Sequence, residues 1–156
     1  MAKQVSKAVK AAGAVKKTTP KTIAKTTIST MTCDKIAQPI GPYSMGTVIT
    51  TPGVGTWGYS SGQIGMSPKG ELTSKKPGPQ AKRALMNLKT LARTNGFKMT
   101  DTIKTTVFLV DMAHFAEVNV EYAKFFTEGK PPRSCVAVHQ LPKGALFEIE
   151  AVFFKA

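Results

Sequence analysis

Two kinds of side chain in this sequence could together hold a small anion and move a proton. Of 22 basic residues only Arg83, Arg93 and Arg133 are arginine, and Arg133 opens the β-like run Arg133-Ser134-Cys135-Val136-Ala137-Val138. Pro131 and Pro132 stiffen the chain just before it. A guanidinium is a planar fork that grips a carboxylate through two parallel hydrogen bonds, whereas an ammonium is a point charge. Arg133 is therefore a candidate reader of a small carboxylic acid, although on position alone a surface arginine that merely begins a strand is the commoner outcome. Glu148 and Glu150 alternate with Ile149 and Ala151 on a terminal strand, so both carboxylates project from one face, beside Val152 and Phe154. Spacing alone makes such a pair a wet sheet rim. If Glu148 shares a pocket with Arg133, it can hold a water and take its proton.

Other residues could complete such a pocket. Gly62, in Ser60-Ser61-Gly62-Gln63-Ile64, would let a ligand approach the main chain, or else it is a bulge or turn glycine. Tyr43 follows Gly41-Pro42 on a turn and either caps a pocket or packs with its hydroxyl satisfied. Asn119 interrupts an apolar helical stripe; a core-facing amide needs partners, so it pins a neighbouring loop or lines a site. Cys135, flanked by Val136, reads as inert core rather than a nucleophile. His114 and His139 have no second ligand at metal spacing, and Cys33 and Cys135 lie far apart in the chain, so no metal site is expected. Neither histidine sits in a hydrolase-triad context, and the sequence has neither a GxGxxG nor a P-loop fingerprint.

The elements that must position these residues follow from pattern. β-branched residues predict strands over 47–51 and 56–61, joined by the Pro52-Gly53-Val54-Gly55 turn. Ala81, Ala84, Leu85, Leu88, Leu91 and Ala92 recur at helical spacing, predicting a helix over 79–95 that Gly96 stops. A strand over 103–110 is apolar on both faces towards its end, hence central. Phe115, Val118, Tyr122, Phe125 and Phe126 mark a second helix over 113–127, followed by strands over 133–140 and 146–154. This order predicts an α+β fold with two helices packed on one face of a mixed sheet. No third helix is left to cover the other face, which predicts a closed oligomer.

Composition bounds the remainder. The 156 residues, 42% hydrophobic, suffice for one domain with one core. Residues 1–33 carry seven lysines and no acid, +7, and residues 34–156 carry fifteen basic and nine acidic groups, +6, which together give the net +13. The charge is thus largely a property of the N-terminal segment, a weak indicator that the folded body binds nucleic acid. Residues 1–30 read as a basic flexible tail and 31–156 as the domain. Within the tail, 3–17 could form a transient basic amphipathic helix, with Lys3, Lys7, Lys10 and Lys17 near one face. An acid-free, Thr-rich basic segment fits either a solvated tail that attracts polyanions or an organellar transit peptide, although the latter favours arginine and this tail has none. With only two cysteines, Cys33 in a flexible entry to the domain and Cys135 in a strand, and no apolar signal-peptide core, the expectation is a reducing, cytoplasmic setting, with a mitochondrion or related organelle as the alternative. No apolar run approaches the length of a membrane span.

Taken in order, these segments resemble the reactive-intermediate deaminase (Rid) family, also labelled translation-inhibitor or L-PSP endoribonuclease-like. The resemblance rests on Ile40-Gly41-Pro42-Tyr43-Ser44, Ser61-Gly62-Gln63-Ile64, Asn87, Lys104-Thr105-Thr106-Val107-Phe108-Leu109-Val110-Asp111 and Phe115-Ala116-Glu117-Val118-Asn119. It continues through Pro132-Arg133-Ser134-Cys135-Val136, Leu141-Pro142-Lys143 and Glu148-Ile149-Glu150-Ala151. It implies a chorismate-mutase-like α+β homotrimer with three clefts between subunits. It also implies hydrolysis of 2-imino acids and their enamine tautomers, such as 2-iminobutanoate or 2-iminopropanoate, to 2-keto acids and ammonia, with no cofactor or metal. Carried over residue by residue, Arg133 would fork the substrate carboxylate and Glu148 would position the attacking water. Tyr43, Ser61 and Gly62 would line the pocket, the Cys135 main chain would contact the imine nitrogen, and Asn119 would buttress the site. Imine hydrolysis is intrinsically easy, so orientation and one proton relay suffice.

Three features depart from the family pattern. The loop between Thr127 and Arg133 is short, with Pro132 in place of an alanine; Met45 stands where glutamine is common; and the lysine-rich tail has no counterpart in short members. Two other functions remain as expectations: an RNA-acting translation inhibitor, and a non-catalytic trimer that binds small carboxylates.

Overall fold

The computed structural model describes residues 24–156. They form seven strands, β1 (Thr27–Thr30), β2 (Gly46–Thr51), β3 (Gly55–Ser60), β4 (Gln63–Ile64), β5 (Thr102–Leu109), β6 (Arg133–Ala137) and β7 (Phe147–Lys155), with helices α1 (Pro77–Thr94) and α2 (Phe115–Ala123). The spatial order is β1-β2-β3-β7-β5-β6, and β4 also pairs with β7. Only β5 and β6 run parallel. A parallel pair needs a crossover, and α2 supplies it.

Alternation along the strands builds the core. Phe147, Ile149, Ala151 and Phe153 of β7 are buried, as are Thr105, Val107 and Leu109 of β5. Against them pack Ala81, Ala84, Leu85, Leu88, Leu91 and Ala92 of α1, the stripe that its periodicity predicts. Gly96, at φ 80°, lets the chain leave α1 through the left-handed region. The N-terminus of α1 has no cap from its own sequence; the Glu117 carboxylate on α2 accepts the Gly78 N–H at 3.0 Å instead and ties the two helices together.

The helices cover one face of the sheet. The opposite face carries Trp57, Tyr59, Phe108, Val136 and Phe154, with Trp57 and Phe154 in ring contact at 4.7 Å. Tyr59 is 42% and Val136 44% exposed there. Among the described residues no helix is long and apolar enough to cross a membrane.

The structure corrects the predicted organisation in three places. The sheet begins at Thr27, inside the segment read as tail, because Thr27–Thr30 pairs antiparallel with β2. Two threonines, a serine and a single isoleucine cannot be told from a Thr-rich tail until a partner strand is known. Cys33 is buried at 5% exposure rather than part of a flexible entry; Asn95 holds the neighbouring Thr32 main chain through both its N–H and its carbonyl. Finally, α2 stops at Ala123, after which Phe126 turns into the core and packs against Tyr122 in a tilted ring pair, centroids 4.4 Å apart. The proposed helix over 3–17 lies outside the described residues.

Candidate active site

A cleft of about 520 Å³ opens between the segment around Tyr43, the β3–β4 turn and the first half of β7. Tyr43, Ser61, Gly62 and Glu148 all line it, together with Asn87 and Glu150. Three polar residues of α1 hold its frame. The Gln80 carbonyl oxygen accepts the Leu146 N–H at 2.7 Å, Arg83 donates to the Met66 carbonyl at 3.1 Å, and Asn87 donates to the Ile64 and Met66 carbonyls at 3.3 and 2.9 Å. Residues 80, 83 and 87 share one helical face. They therefore fix β4 and the approach to β7, the two segments flanking Glu148, whose register partner on β4 is Ile64.

Glu148 is half-buried. Desolvation, reinforced by the Glu150 charge, pushes its carboxyl above the ordinary range. Its side chain lies directly over Gly62, where an added Cβ would overlap the carboxylate. Gly62 is thus required by close approach of a side chain, not by a bulge. Ser61 donates its hydroxyl to the Ser44 carbonyl at 2.7 Å, which leaves the oxygen lone pairs free to accept. The Tyr43 hydroxyl accepts the Ile40 N–H at 3.3 Å, so the phenol is fixed to its own turn while the ring stays 51% exposed at the mouth.

Arg133 is not in this cleft. It stands opposite Thr105, and Cys135 opposite Val107, whereas Glu148 stands opposite Phe108. Thr105 and Phe108 are an odd number of residues apart on one strand, so their side chains, and those registered with them, project from opposite faces. The expected shared pocket of Arg133 and Glu148 does not form within one chain. Instead Arg133 lies at the outer strand of the sheet, its guanidinium carbon 4.5 Å from the ring centre of Tyr122 and 5.5 Å from that of Phe115. It makes no ion pair with any described residue. Asn119 falls between Phe115 and Tyr122 on the same helical face, half-buried and away from the cleft lining. The Cys135 thiol is raised by burial, an effect the Arg133 charge only partly offsets, so it remains protonated and is a poor nucleophile.

Tyr122, read from sequence only as a helical core marker, is the platform of this second region. Its hydroxyl is hydrogen-bonded at 2.8 Å to that of fully buried Thr105, the register partner of Arg133. The signal was present in the spacing of Phe115 and Tyr122, two turns apart on α2, but only the parallel pairing of β5 and β6 places the arginine over it. Arg133 therefore presents a stacked guanidinium whose donors have no protein carboxylate to satisfy them.

Comparison with known proteins identifies the family and the fold. The profile of the family described as Endoribonuclease L-PSP matches residues 33–154. A RutC family protein of Pyrococcus horikoshii is 40% identical over 76% of this chain and 90% of its own length. A 2-iminobutanoate/2-iminopropanoate deaminase of Salmonella typhimurium is 41% identical over 72% of this chain and 87% of its own. The crystal structure of Escherichia coli TdcF with bound serine superposes with a TM-score of 0.72 at 35% identity, covering 82% of this chain and 99% of that one. With a seven-stranded mixed sheet, two helices on one face and the motif residues gathered at the β3–β4 turn and on β6 and β7, the chain belongs to the Endoribonuclease L-PSP family, the YjgF/RutC/Rid group.

Proposed function

We propose that the protein hydrolyses 2-imino acids and their enamine tautomers to 2-keto acids and ammonia, in clefts formed between the subunits of a homotrimer. The observation that carries this reading is the division of the site. A cleft whose half-buried Glu148 has its carboxyl raised by burial lies on the open side of the sheet, and an unsatisfied guanidinium lies on the other side, at its outer strand. A head-to-tail ring brings the outer strand of one copy against the open face of the next, which would pair the two halves and bury the apolar open face. The deaminase name of the Salmonella relative supports the same chemistry.

The steps follow from the residues. Arg133 forks the carboxylate of the imino acid and fixes the adjacent C=N carbon. Glu148 accepts a hydrogen bond from a water, which attacks that carbon as its proton passes to the carboxylate. The raised carboxyl then returns the proton to the nitrogen of the tetrahedral carbinolamine. Glu148 then takes the hydroxyl proton and passes it to the same nitrogen as the C–N bond breaks, so that ammonia leaves and the keto acid forms. Ser61 and Tyr43 line the pocket, the Cys135 main chain faces the imine nitrogen, and Asn119 supports the Arg133 side. No nucleophilic side chain is needed.

A coupled assay tests this: added to a threonine dehydratase reaction, the protein accelerates keto-acid and ammonia release, and the absence of acceleration over several imino acids would refute it. Shared sites add a second prediction. Co-expression of Arg133→Ala and Glu148→Gln chains, each inactive alone, restores activity, because in randomly mixed rings roughly a quarter of the sites receive both native residues. If the mixture stays inactive while mixed trimers are demonstrated by mass spectrometry, the two residues do not meet across an interface.

The Tyr122 platform gives a third prediction. Stacking of a cation on a ring is worth about 1–2 kcal/mol when desolvated. Tyr122→Leu therefore raises KM about tenfold with little change in kcat. Tyr122→Phe keeps the ring and most of the affinity. Equal KM values in all three proteins would show that the ring does not position Arg133.

A further inference from the structure

A second concavity, of about 610 Å³, lies on the helix side of the molecule between the C-terminal ends of α1 and α2. It shares no lining residue with the Glu148 cleft. Met99 and Phe125, both packed on the main core, line its interior, and Lys89, Arg93, Lys98 and Lys124 surround it. Lys89 and Arg93 are exposed and four residues apart on α1, a helix with four cations and no acid. Across the same pair lies another depression, where Lys35 and the Thr90 and Thr94 hydroxyls join them and no acid is present.

Like charges four residues apart destabilise a helix, so this arrangement needs a reason. Compensation of the helix C-terminus is not one. The last carbonyls of α1 already accept from the Asn95, Gly96 and Phe97 N–H groups, the Leu91 carbonyl also accepts from the Asn95 side chain, and Lys155 donates to the Gly96 carbonyl. Ion pairing is not one either: the only ion pair among the described residues joins Lys124 to Glu121 at 2.7 Å, leaving Lys35, Lys89, Arg93 and Lys98 without a carboxylate.

We propose that this groove binds a small organic phosphate, with a phosphoryl head of two or more negative charges on Lys89 and Arg93 and an apolar body lying over Met99 and Phe125. Three features fix that class. The concentration of cations around one helical pair suits a multiply charged head rather than a single carboxylate. The partly apolar interior suits a ligand with a body, and the volume is that of a small-molecule site. Glu128, the one acid in the lining, disfavours a continuous polyanion running through the groove.

Calorimetric titration of the full-length protein with ADP, adenosine and inorganic pyrophosphate tests the proposal. ADP is expected to bind at least about tenfold more tightly than either fragment, because only it engages both the ridge and the interior. The Lys89→Gln/Arg93→Gln double variant is expected to lose at least about tenfold in ADP affinity. Its melting temperature should not fall, since a repulsive pair is removed, and its imine hydrolysis should be unchanged. The N-terminal lysines are present in both proteins, so the difference isolates the ridge. Equal binding of ADP and pyrophosphate would reduce the site to general charge attraction, and unaltered ADP binding by the double variant would place the ligand elsewhere; either result overturns the proposal.

Discussion

Arg133→Ala is expected to abolish most of the deaminase activity while leaving the fold intact. The guanidinium is the one group on β6 able to fork a carboxylate, and truncating one partner of a charge-assisted, desolvated pair costs about 2–5 kcal/mol. That corresponds to a loss of about 30-fold to 5,000-fold in kcat/KM, measured in the coupled dehydratase assay. The fold should survive because Arg133 makes no ion pair with a described residue and rests only on two ring faces. Arg133→Lys restores the charge but not the planar fork or the stacking, so it recovers only a minor part of the activity. A near-normal Arg133→Ala enzyme would overturn the assignment of the carboxylate site, whatever the fate of Glu148.

Glu148→Gln should act on two quantities in opposite directions. As the group that takes and returns the proton, Glu148 is worth about 10²–10⁴-fold in kcat, and glutamine of nearly the same shape removes that role. The same substitution should stabilise the protein at neutral and alkaline pH. Burial first, and the Glu150 charge second, raise the Glu148 carboxyl above its ordinary value. A raised carboxyl binds its proton more tightly in the folded than in the unfolded chain. Its favourable contribution is therefore present at acid pH, below the unfolded value, and is lost as pH rises through the folded value. The variant should melt above the wild type near pH ~8, and the gap should close towards pH ~4. Wild-type kcat/KM should fall on the acid side as the base becomes protonated. A variant with normal kcat, or one whose melting temperature falls relative to wild type as pH rises, contradicts the role given to this side chain.

The parts of the fold that sequence made legible are those where period and burial coincide. The apolar stripe of α1 and the alternation of Phe147, Ile149, Ala151 and Phe153 each encode one buried face, and both lie where they were expected. Strand β1 was hidden because nothing in Thr-Ile-Ser-Thr demands burial, and its residues are all exposed in the sheet. The candidate site was legible as a set of residues but not as a geometry. Tyr43, Ser61, Gly62 and Glu148 converge in one cleft. Arg133 and Cys135 face the other way, because the relative parity of β5, β6 and β7 is a matter of pairing register, which no single strand carries in its own sequence. Gln80 and Arg83, and the loop-holding role of Asn87, were invisible for a related reason. On a helical wheel these residues border the apolar stripe, and only the loop they hold reveals what they do.

The short outermost strand also sets how far the lysine-rich N-terminal segment can be trimmed. Cleavage up to residue 23 leaves every described pairing in place. A cut at the compositional boundary near residue 30 would instead strip β1 and bare the hydrogen-bonding edge of β2, whose Thr47–Thr50 backbone it occupies. An uncovered edge of β-branched residues is a template for adding strands from other molecules. A trimmed form that remains dispersed in solution must therefore retain Thr27–Thr30, and only Thr26 stands between Lys25, the last lysine of the N-terminal segment, and the sheet.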